Sequence, residues 1–288
     1  RVHGFYFGGY QLDVLTYAIE MHDLSFDLYY LREFIFWFPL KIIYMFTNSE
    51  FYTFLILDAI WMYFLFKVIS QESLNKLGKG IIVVLATSFP FFFGYENIYR
   101  QFYASIILLW SYSLIDKNSS KAIKLFIISF FIHNIILFLL PIFLVKKCFS
   151  FNMNDRITIS LVTSVFFVSI LPFITQLKDA DPTKVDMSLA YLTLFLAASV
   201  FFLLKFRKNI YQMISEIPSL LFFTILMMGY IIFKQEMVAE RLGMMFIIFL
   251  IYDLYLYSTK IEIQYKRILL RIGLLLVFSI PVLLFYSS

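Results

Sequence analysis

Residues 94–141 read GYENIYRQFYASIILLWSYSLIDKNSSKAIKLFIISFFIHNIILFLLP, and this stretch decides both the class of fold and the candidate site. Two long apolar runs, at about 98–115 and 122–145, flank a turn that is rich in lysine. Arg100 opens the first run, and His133 lies inside the second. Because ionisable groups inside a bilayer are costly, each is a candidate functional residue, with structural pairing as the alternative.

The composition is that of an integral membrane protein. Of 288 residues, 61% are hydrophobic and 15% are charged, and the mean hydropathy is +0.84. Soluble domains are about half apolar and a quarter charged. The formal net charge of +5 indicates membrane topology and predicts no nucleic-acid partner, since basic residues of membrane proteins gather in loops on one side. The single cysteine, Cys148, excludes an internal disulfide and a cysteine metal cluster.

The apolar segments predict an all-α fold, a polytopic transmembrane helix bundle of about 8–10 spans. We interpret residues 1–288 as a single integral membrane domain, in which 1–47 form an outer-face loop and an interfacial helix and 48–288 form the bundle. The chain starts at Arg1 without a Met or a signal pattern, so we expect that a first membrane helix is missing from it. The spans are expected at about 51–69, 81–95, 98–115, 157–177, 187–205, 219–233, 242–258 and 268–286.

Basic loops predict the orientation of the bundle. By the positive-inside rule, the mixed or acidic connections lie outside and the five basic ones lie in the cytoplasm. A single crossing by 122–145 would put Lys146 and Lys147 outside, whereas a re-entrant hairpin with His133 near its turn keeps all five basic loops on one side. Both interpretations remain open. The basic loops contain Lys76 and Lys79; Lys117, Lys121 and Lys124; Lys146, Lys147 and Arg156; Lys205, Arg207 and Lys208; and Lys260, Lys266, Arg267 and Arg271.

Arg100 is the first candidate for ligand binding. At a helix N-terminus that faces outward, its guanidinium suits a phosphate or pyrophosphate, which it can hold bidentately. The alternative is an ion pair with Glu96 at i,i+4, which is worth little at a wet surface. A stripe of small and polar residues at three- and four-residue steps is expected to face the bundle interior: Asn97, Arg100, Gln101, Ala104, Ser105 and Ser111.

A similar arrangement precedes the predicted 242–258 helix. Arg241 is predicted to open that helix, so that it and Arg100 would clamp the two phosphates of one ligand. Glu240 or Glu236 would act as a general base or as the partner of Arg241.

Two further groups are candidates for proton transfer. His133 as a neutral imidazole can accept a proton from an attacking hydroxyl, and the alternative is a hydrogen-bonded packing residue. Asp13 lies in GYQLDVLTY, four residues before Tyr17, although a lone loop Asp is usually solvated. We interpret Asp58 and Asp253 as structural groups. The sequence contains no HExxH, CxxC, Walker A or GxGxxG pattern, so it predicts no metal, no cofactor and no nucleotide-linked sugar donor.

Four segments together resemble the EpsG family, polytopic proteins related to the Wzy O-antigen and capsule polymerases of bacteria. They are Arg1 with GYQLDVLTY, then NIYRQFYASIILL, the lysine-rich turn and SFFIHNIILFLLP. The resemblance is best over about 1–145, and the pair Glu240 and Arg241 fits more loosely. The chain departs from the family in lacking a first membrane helix and in having residues 26–30, FDLYY, where a glutamate–proline–glycine stretch is expected.

The resemblance implies a metal-independent, GT-C-like glycosyltransferase of exopolysaccharide, capsule or O-antigen biosynthesis. It would join oligosaccharide repeat units carried on undecaprenyl diphosphate at the outer face of the bacterial cytoplasmic membrane, in the bilayer, with a chain-length regulator and other assembly proteins as partners. Arg100, Arg241, Asn97, Gln101, Arg1 and Tyr17 would bind substrate, and His133, Asp13 and Glu240 would be catalytic. The alternatives are a transporter or flippase of lipid-linked oligosaccharide, for which we find no internal repeat, and a membrane acyltransferase, whose expected histidine signature is not clear at His3 or His22.

Overall fold

A computed structural model describes residues 12–23, 28–69, 80–91, 99–146, 152–175 and 188–285. All regular secondary structure in these residues is helical, which confirms the predicted all-α class. The chain divides into two compact units. The first comprises Arg1–Leu114, Ser120–Leu137 and Ser279–Ser288, and the second comprises Ile115–Ser119 and Phe138–Phe278.

The first unit is built around α3 and α6. The predicted interfacial helix at about 29–47 is two helices, α2 and α3, separated by a turn at Arg32 and Glu33. Asn48 directly follows α3, and its left-handed backbone (φ 47°) closes the last turn of the helix. The helices of this unit are α1 (Leu12–His22), α2 (Leu28–Leu31), α3 (Phe34–Thr47), α4 (Glu50–Ile69), α5 (Gly80–Ala86), α6 (Tyr99–Leu114) and most of α7 (Ser119–Ile132).

One face of α3 packs against α1, α2 and α4. This face includes a charged residue, Lys41, which is fully buried. Its ammonium donates to the backbone carbonyl of Asp23 and lies 3.4 Å from the centroid of the Tyr30 ring. Burial and the neighbouring Glu20 carboxylate raise the pKa of Tyr30, so its hydroxyl stays protonated and donates to Glu20. These contacts attach the N-terminal helices to α3.

A short turn connects α6 to α7. The hydroxyl of Ser111 donates to the backbone carbonyl of Ala122 at 2.6 Å, which joins the end of α6 to the start of α7. At about 1.5 Å per residue, the two helices are about 24 and 21 Å long. One side chain, Glu33, contacts both Arg100 at the start of α6 and His133 after the end of α7, so these two ends lie near each other.

The two acids that we interpreted as structural have that role. Asp58 Oδ1 accepts hydrogen bonds from the hydroxyls of Tyr99 at 2.6 Å and Tyr103 at 2.7 Å, which ties α4 to α6. Asp253 Oδ2 accepts from the backbone N–H of Ser219 at 3.1 Å. That N–H belongs to the first turn of a helix and has no partner within it, so Asp253 satisfies a donor that would otherwise be buried unpaired.

The second unit packs around α13, nearly all of which is buried. Gly243 allows a close approach, because a Cβ there would lie less than 3.0 Å from the Tyr191 ring of α10. The helices of this unit are α8 (Leu140–Val145), α9 (Met153–Thr175), α10 (Ser188–Lys205), α11 (Ile210–Glu216), α12 (Pro218–Ile232), α13 (Glu236–Thr259) and most of α14 (Gln264–Phe285).

Three segments in the described residues are long and apolar enough to cross a membrane: Met153–Ile170, Ser188–Lys205 and Val238–Thr259. Helices α11 and α12 make a fourth if the pair, which is bent by 92°, is one broken span. These segments agree with a polytopic bundle. The predicted number of about 8–10 spans stays a prediction, since several predicted spans form shorter helices.

The segment 122–145 is broken near its middle. Helix α7 ends at Ile132, His133 lies outside regular helix, and a 3₁₀ helix (Asn134–Leu139) leads into α8. Lys146, after α8, lies 5.8 Å from the Tyr252 ring centroid, and the Asp116 carboxylate, before α7, acts electrostatically on the same tyrosine. Groups at both ends of the segment thus interact with Tyr252 of α13. This agrees with the re-entrant interpretation, and the number of crossings made by 122–145 stays a prediction.

Candidate functional site

A buried carboxylate, Glu33, connects three separate segments of the first unit. Its side chain is 1% exposed and lies in the turn between α2 and α3. Oε2 accepts a hydrogen bond from Nη1 of Arg100 on α6. Oε1 lies 3.4 Å from Nδ1 of His133, and it accepts the backbone N–H of Asn134 at 3.4 Å. Glu33 is therefore the centre of an ion-paired cluster, which we call the Glu33 cluster (Glu33, Arg100, His133 and Tyr17).

Aromatic rings surround the guanidinium of Arg100. Its Nε donates to the hydroxyl of Tyr17 at 3.1 Å. Its Cζ lies 4.9 Å from the ring centroid of Trp37, 5.1 Å from that of Tyr17 and 5.9 Å from that of Phe36. Each such cation–π contact contributes about 0.5–2 kcal/mol, more as the site is desolvated. The orientation of the guanidinium is therefore set by a carboxylate, a hydroxyl and three rings.

Together with the neighbouring Arg32, the cluster carries more positive than negative charge. Arg32 Nη2 lies 3.9 Å from Glu33 Oε1, and the Arg32 side chain is 41% exposed. Two guanidinium groups, those of Arg32 and Arg100, thus face one carboxylate. With His133 neutral the three charged groups sum to one positive charge, which suits an anionic ligand. The aromatic surroundings lower the local dielectric constant and strengthen that attraction.

Two groups compete for Nδ1 of His133. The backbone N–H of Ile135 points at this nitrogen from 3.2 Å, which favours an unprotonated Nδ1. The Glu33 carboxylate at 3.4 Å favours a proton on it. With the proton on Nδ1, Nε2 has a lone pair that can accept another proton. The hydrogen bond from Ile135 belongs to the opposite tautomer, so the two contacts are alternatives.

The structure brings three of the predicted site residues together: Arg100, Tyr17 and His133. In the described residues, Arg100 forms an ion pair with Glu33. The partner considered from sequence, Glu96, lies outside the described residues, as do the predicted site residues Asn97 and Arg1. The roles predicted for these residues stay predictions.

Two further predicted residues lie on the helices that carry the cluster. Gln101 follows Arg100 on α6 and is 4% exposed, and its Oε1 has no hydrogen-bond partner within the described part of the chain. Asp13 lies in the first turn of α1, one turn before Tyr17. Its side chain is outside the described residues.

The second predicted group lies in the second unit, and one expectation about it is wrong. Arg241 does not open its helix, because α13 begins at Glu236 and Arg241 is in the second turn. The free N–H groups belong to the first four residues of a helix. An anion at Arg241 would therefore be bound by the side chain and not by the helix terminus. Glu240 acts electrostatically on the hydroxyl of Tyr191, and its role as a base stays a prediction.

Glu33 is not among the site residues predicted from the sequence. An acid in an N-terminal loop usually has a solvated side chain, so its residue type alone gives no reason to select it. The available signal was its position: Glu33 directly precedes the apolar run FIFWFPL at 34–40. An acid at that boundary is either at the surface or turned inward, and only packing distinguishes the two.

The fold and this cluster define a polytopic helical membrane protein with a buried, ion-paired cluster, in which one carboxylate contacts a guanidinium and an imidazole. A family model described as the EpsG family matches residues 4–288, so the chain belongs to the EpsG family. This is a family of glycosyltransferase-like polymerases with a role in exopolysaccharide production. The resemblance inferred from the sequence is thereby confirmed. No curated protein and no solved structure matches the chain.

Proposed function

We propose that the protein is a glycosyltransferase of the bacterial cytoplasmic membrane that polymerises oligosaccharide repeat units carried on undecaprenyl diphosphate. The product is an exopolysaccharide, a capsule or an O-antigen, assembled at the outer face of the membrane by a multi-pass, Wzy-like protein. Family membership supports the polymerase class. The observation that carries the proposal is the Glu33 cluster, in which Arg100 and His133 share one buried carboxylate.

The proposed reaction transfers a glycosyl group between two lipid-linked units. A hydroxyl oxygen of the acceptor unit attacks the anomeric carbon of the donor unit and forms the new glycosidic bond. The bond between that carbon and the phosphate oxygen breaks, and undecaprenyl diphosphate leaves with the electron pair. The hydroxyl proton passes to Nε2 of His133. Nucleotide-linked sugar is not required, because the lipid diphosphate is itself the leaving group.

Arg100 stabilises the negative charge that develops on the leaving diphosphate. Fixed donors aimed at developing charge are usually the largest single contribution to catalysis. Glu33 and Tyr17 hold the guanidinium in place before substrate binds, so little reorganisation is needed during the reaction. Arg32, at the exposed edge of the same carboxylate, adds a second positive charge. Arg241, Asn97, Gln101 and Arg1 complete the proposed set of substrate-binding residues.

Glu33 also acts as the positioning residue of His133. A carboxylate at Nδ1 of a histidine fixes the ring and stabilises the imidazolium that forms when Nε2 takes a proton, as the buried Asp does in Ser-His-Asp sites. Oε1 lies 3.4 Å from Nδ1, and contacts of this kind shorten when substrate binds. If His133 has only a structural role and takes up no proton, Asp13 and Glu240 are the alternative general bases. The proposed reaction needs no metal ion.

The test is polymer formation by purified protein in lipid nanodiscs supplied with undecaprenyl-diphosphate-linked repeat units. We expect a ladder of lengthened glycan and stoichiometric free undecaprenyl diphosphate, both unaffected by EDTA. Arg100→Ala should abolish both products. The matched control is Lys124→Ala, which removes an exposed cation from α7 and should leave them unchanged. Failure to form either product, together with movement of intact lipid-linked units across proteoliposomes, would identify a transporter instead.

A further inference from the structure

A groove in the second unit is separate from the Glu33 cluster. It has a volume of about 460 Å³ and lies among α10, α13 and α14. Helices α10 and α13 are both candidate membrane spans. The groove lies within the size range of small-molecule sites, about 300–1,000 Å³. Its walls are almost entirely apolar, and they include Phe201, Leu250, Leu254, Leu270 and Leu274.

Two lysines line the groove and give it a charged end. Lys205 is the last residue of α10, and Lys266 lies in the first turn of α14. Both are exposed, and each lies near a tyrosine: Lys205 Nζ is 4.7 Å from the Tyr257 ring centroid, and Lys266 Nζ is 6.0 Å from that of Tyr265. The N-terminal turn of α14 adds the positive end of a helix dipole beside Lys266.

Two nearby cations, Lys260 and Arg271, have other partners in the protein. Lys260 pairs with Glu216 at 3.5 Å. Arg271 donates from Nε to the hydroxyl of Ser258 at 3.0 Å and lies 4.5 Å from the Tyr255 ring centroid. Lys205 and Lys266 differ from Lys260 and Arg271 in position, because both line the apolar groove.

We propose that this groove binds an anionic phospholipid of the bilayer, with an acyl chain between α10 and α14 and the phosphate between Lys205 and Lys266. A long apolar surface ending in two cations matches a lipid, which is apolar along its chain and anionic at its head. Basic pockets between transmembrane helices are typical sites for anionic lipid head groups. Gly273 lines the groove and faces open space, since a Cβ at this position would meet nothing within 4 Å.

Native mass spectrometry of the full chain in mild detergent tests the proposal. The probes are phosphatidylglycerol and phosphatidylcholine with identical acyl chains, added as an equimolar mixture. We expect wild-type protein to retain phosphatidylglycerol preferentially. Because a lysine near the membrane surface contributes about 1 kcal/mol toward anionic lipid, Lys205→Gln with Lys266→Gln should reduce the preference on the order of tenfold or more. Gly273→Phe should reduce retention of phosphatidylglycerol by filling the groove while both lysines remain.

The matched control is Lys208→Gln with Arg267→Gln. It removes two positive charges close to Lys205 and Lys266 in the sequence, at residues that do not line the groove. This variant should keep the preference for phosphatidylglycerol. Equal retention of the two lipids by wild type would overturn the proposal. An equal loss of the phosphatidylglycerol preference in the control variant would also overturn it. The preference would then reflect the positive charge of this region and not the groove.

Discussion

Arg100 and Glu33, 67 positions apart in the chain, form an ion pair inside the first unit, where the Glu33 side chain is 1% exposed. Removing one partner of a buried ion pair typically costs about 3–5 kcal/mol, since the other charge is left buried and uncompensated. Arg100 therefore has a structural role as well as the proposed catalytic one. Experiments on the cluster must measure stability and activity separately.

The first prediction concerns the ion pair itself. Glu33→Gln keeps the size of the side chain but leaves Arg100 without its carboxylate, so we expect unfolding to become easier by about 3–5 kcal/mol. Arg100→Gln should have a similar effect. The double variant should lose less than the sum, because it contains no unpaired charge. The measurement is thermal or denaturant unfolding in detergent, and additive losses would show that the two charges are not coupled.

The second prediction separates charge from geometry at Arg100. Arg100→Lys can still pair with Glu33, but an ammonium lacks the planar fork that contacts Tyr17 and a diphosphate together. We expect polymer formation to fall at least tenfold while the unfolding midpoint stays close to that of wild type. Arg267→Lys, at a residue of α14 with no described ion pair, is the control and should keep full activity. Wild-type activity of Arg100→Lys would remove the guanidinium from the mechanism.

The third prediction assigns proton transfer to His133. A positioned general base contributes about 10²–10⁴-fold, so His133→Gln and His133→Ala should lose activity in that range. Wild-type activity should decline as the pH falls, because an imidazolium cannot accept a proton. The residual activity of His133→Gln should lack that decline.

The control for this prediction is His22→Gln. His22 is exposed and contacts Glu50 at 2.7 Å and Tyr44 at 2.6 Å, so its loss should leave the pH profile unchanged. An unaltered profile in His133→Gln would identify His133 as a packing residue. The base would then be sought at Asp13 and Glu240.

The fourth prediction concerns the path of residues 122–145. Single cysteines at Ser119 and Asn154, in a Cys148→Ser background, should both be shielded from an impermeant thiol reagent in intact cells. A cysteine at Gln235 should react. All three positions lie in the described part of the chain, and Ser119 and Asn154 are exposed. Labelling at Asn154 together with protection at Ser119 would establish a single crossing.

The fifth prediction tests helix packing in the second unit. Gly243→Ala puts a Cβ less than 3.0 Å from the Tyr191 ring, and overpacking of this kind typically costs about 1–3 kcal/mol. Gly273→Ala meets nothing within 4 Å and should be neutral, or stabilising by up to about 1 kcal/mol through helix propensity. Thermal unfolding of the two variants compares them directly. Equal midpoints would show that α10 and α13 can separate at Gly243 without cost.

Several features could be predicted from sequence because they depend on local chemistry. Apolar runs identified a helical membrane protein, since a helix satisfies its backbone hydrogen bonds within one segment. The motif around Arg100 and His133 indicated the family that the whole chain matches. Asp58 and Asp253, in apolar helices without a plausible ligand, were correctly interpreted as structural.

Other features required the tertiary structure. An apolar run does not mark where a helix begins, because charged residues extend a helix into the loop. For that reason α13 starts at Glu236, and Arg241 lies in its second turn. The groove with Lys205 and Lys266 is likewise formed by helices that are distant in the sequence.

The burial of Glu33 could not be predicted from the sequence either. Composition and spacing determined that a membrane-embedded arginine and histidine needed a partner or a polar cavity, because burying either alone is costly. They did not determine which acid supplies it, since a glutamate in a turn has the same sequence whether it is solvated or buried. Packing of the turn before α3 against α6 and the break at His133 excludes water from Glu33, and the desolvated carboxylate then holds both groups.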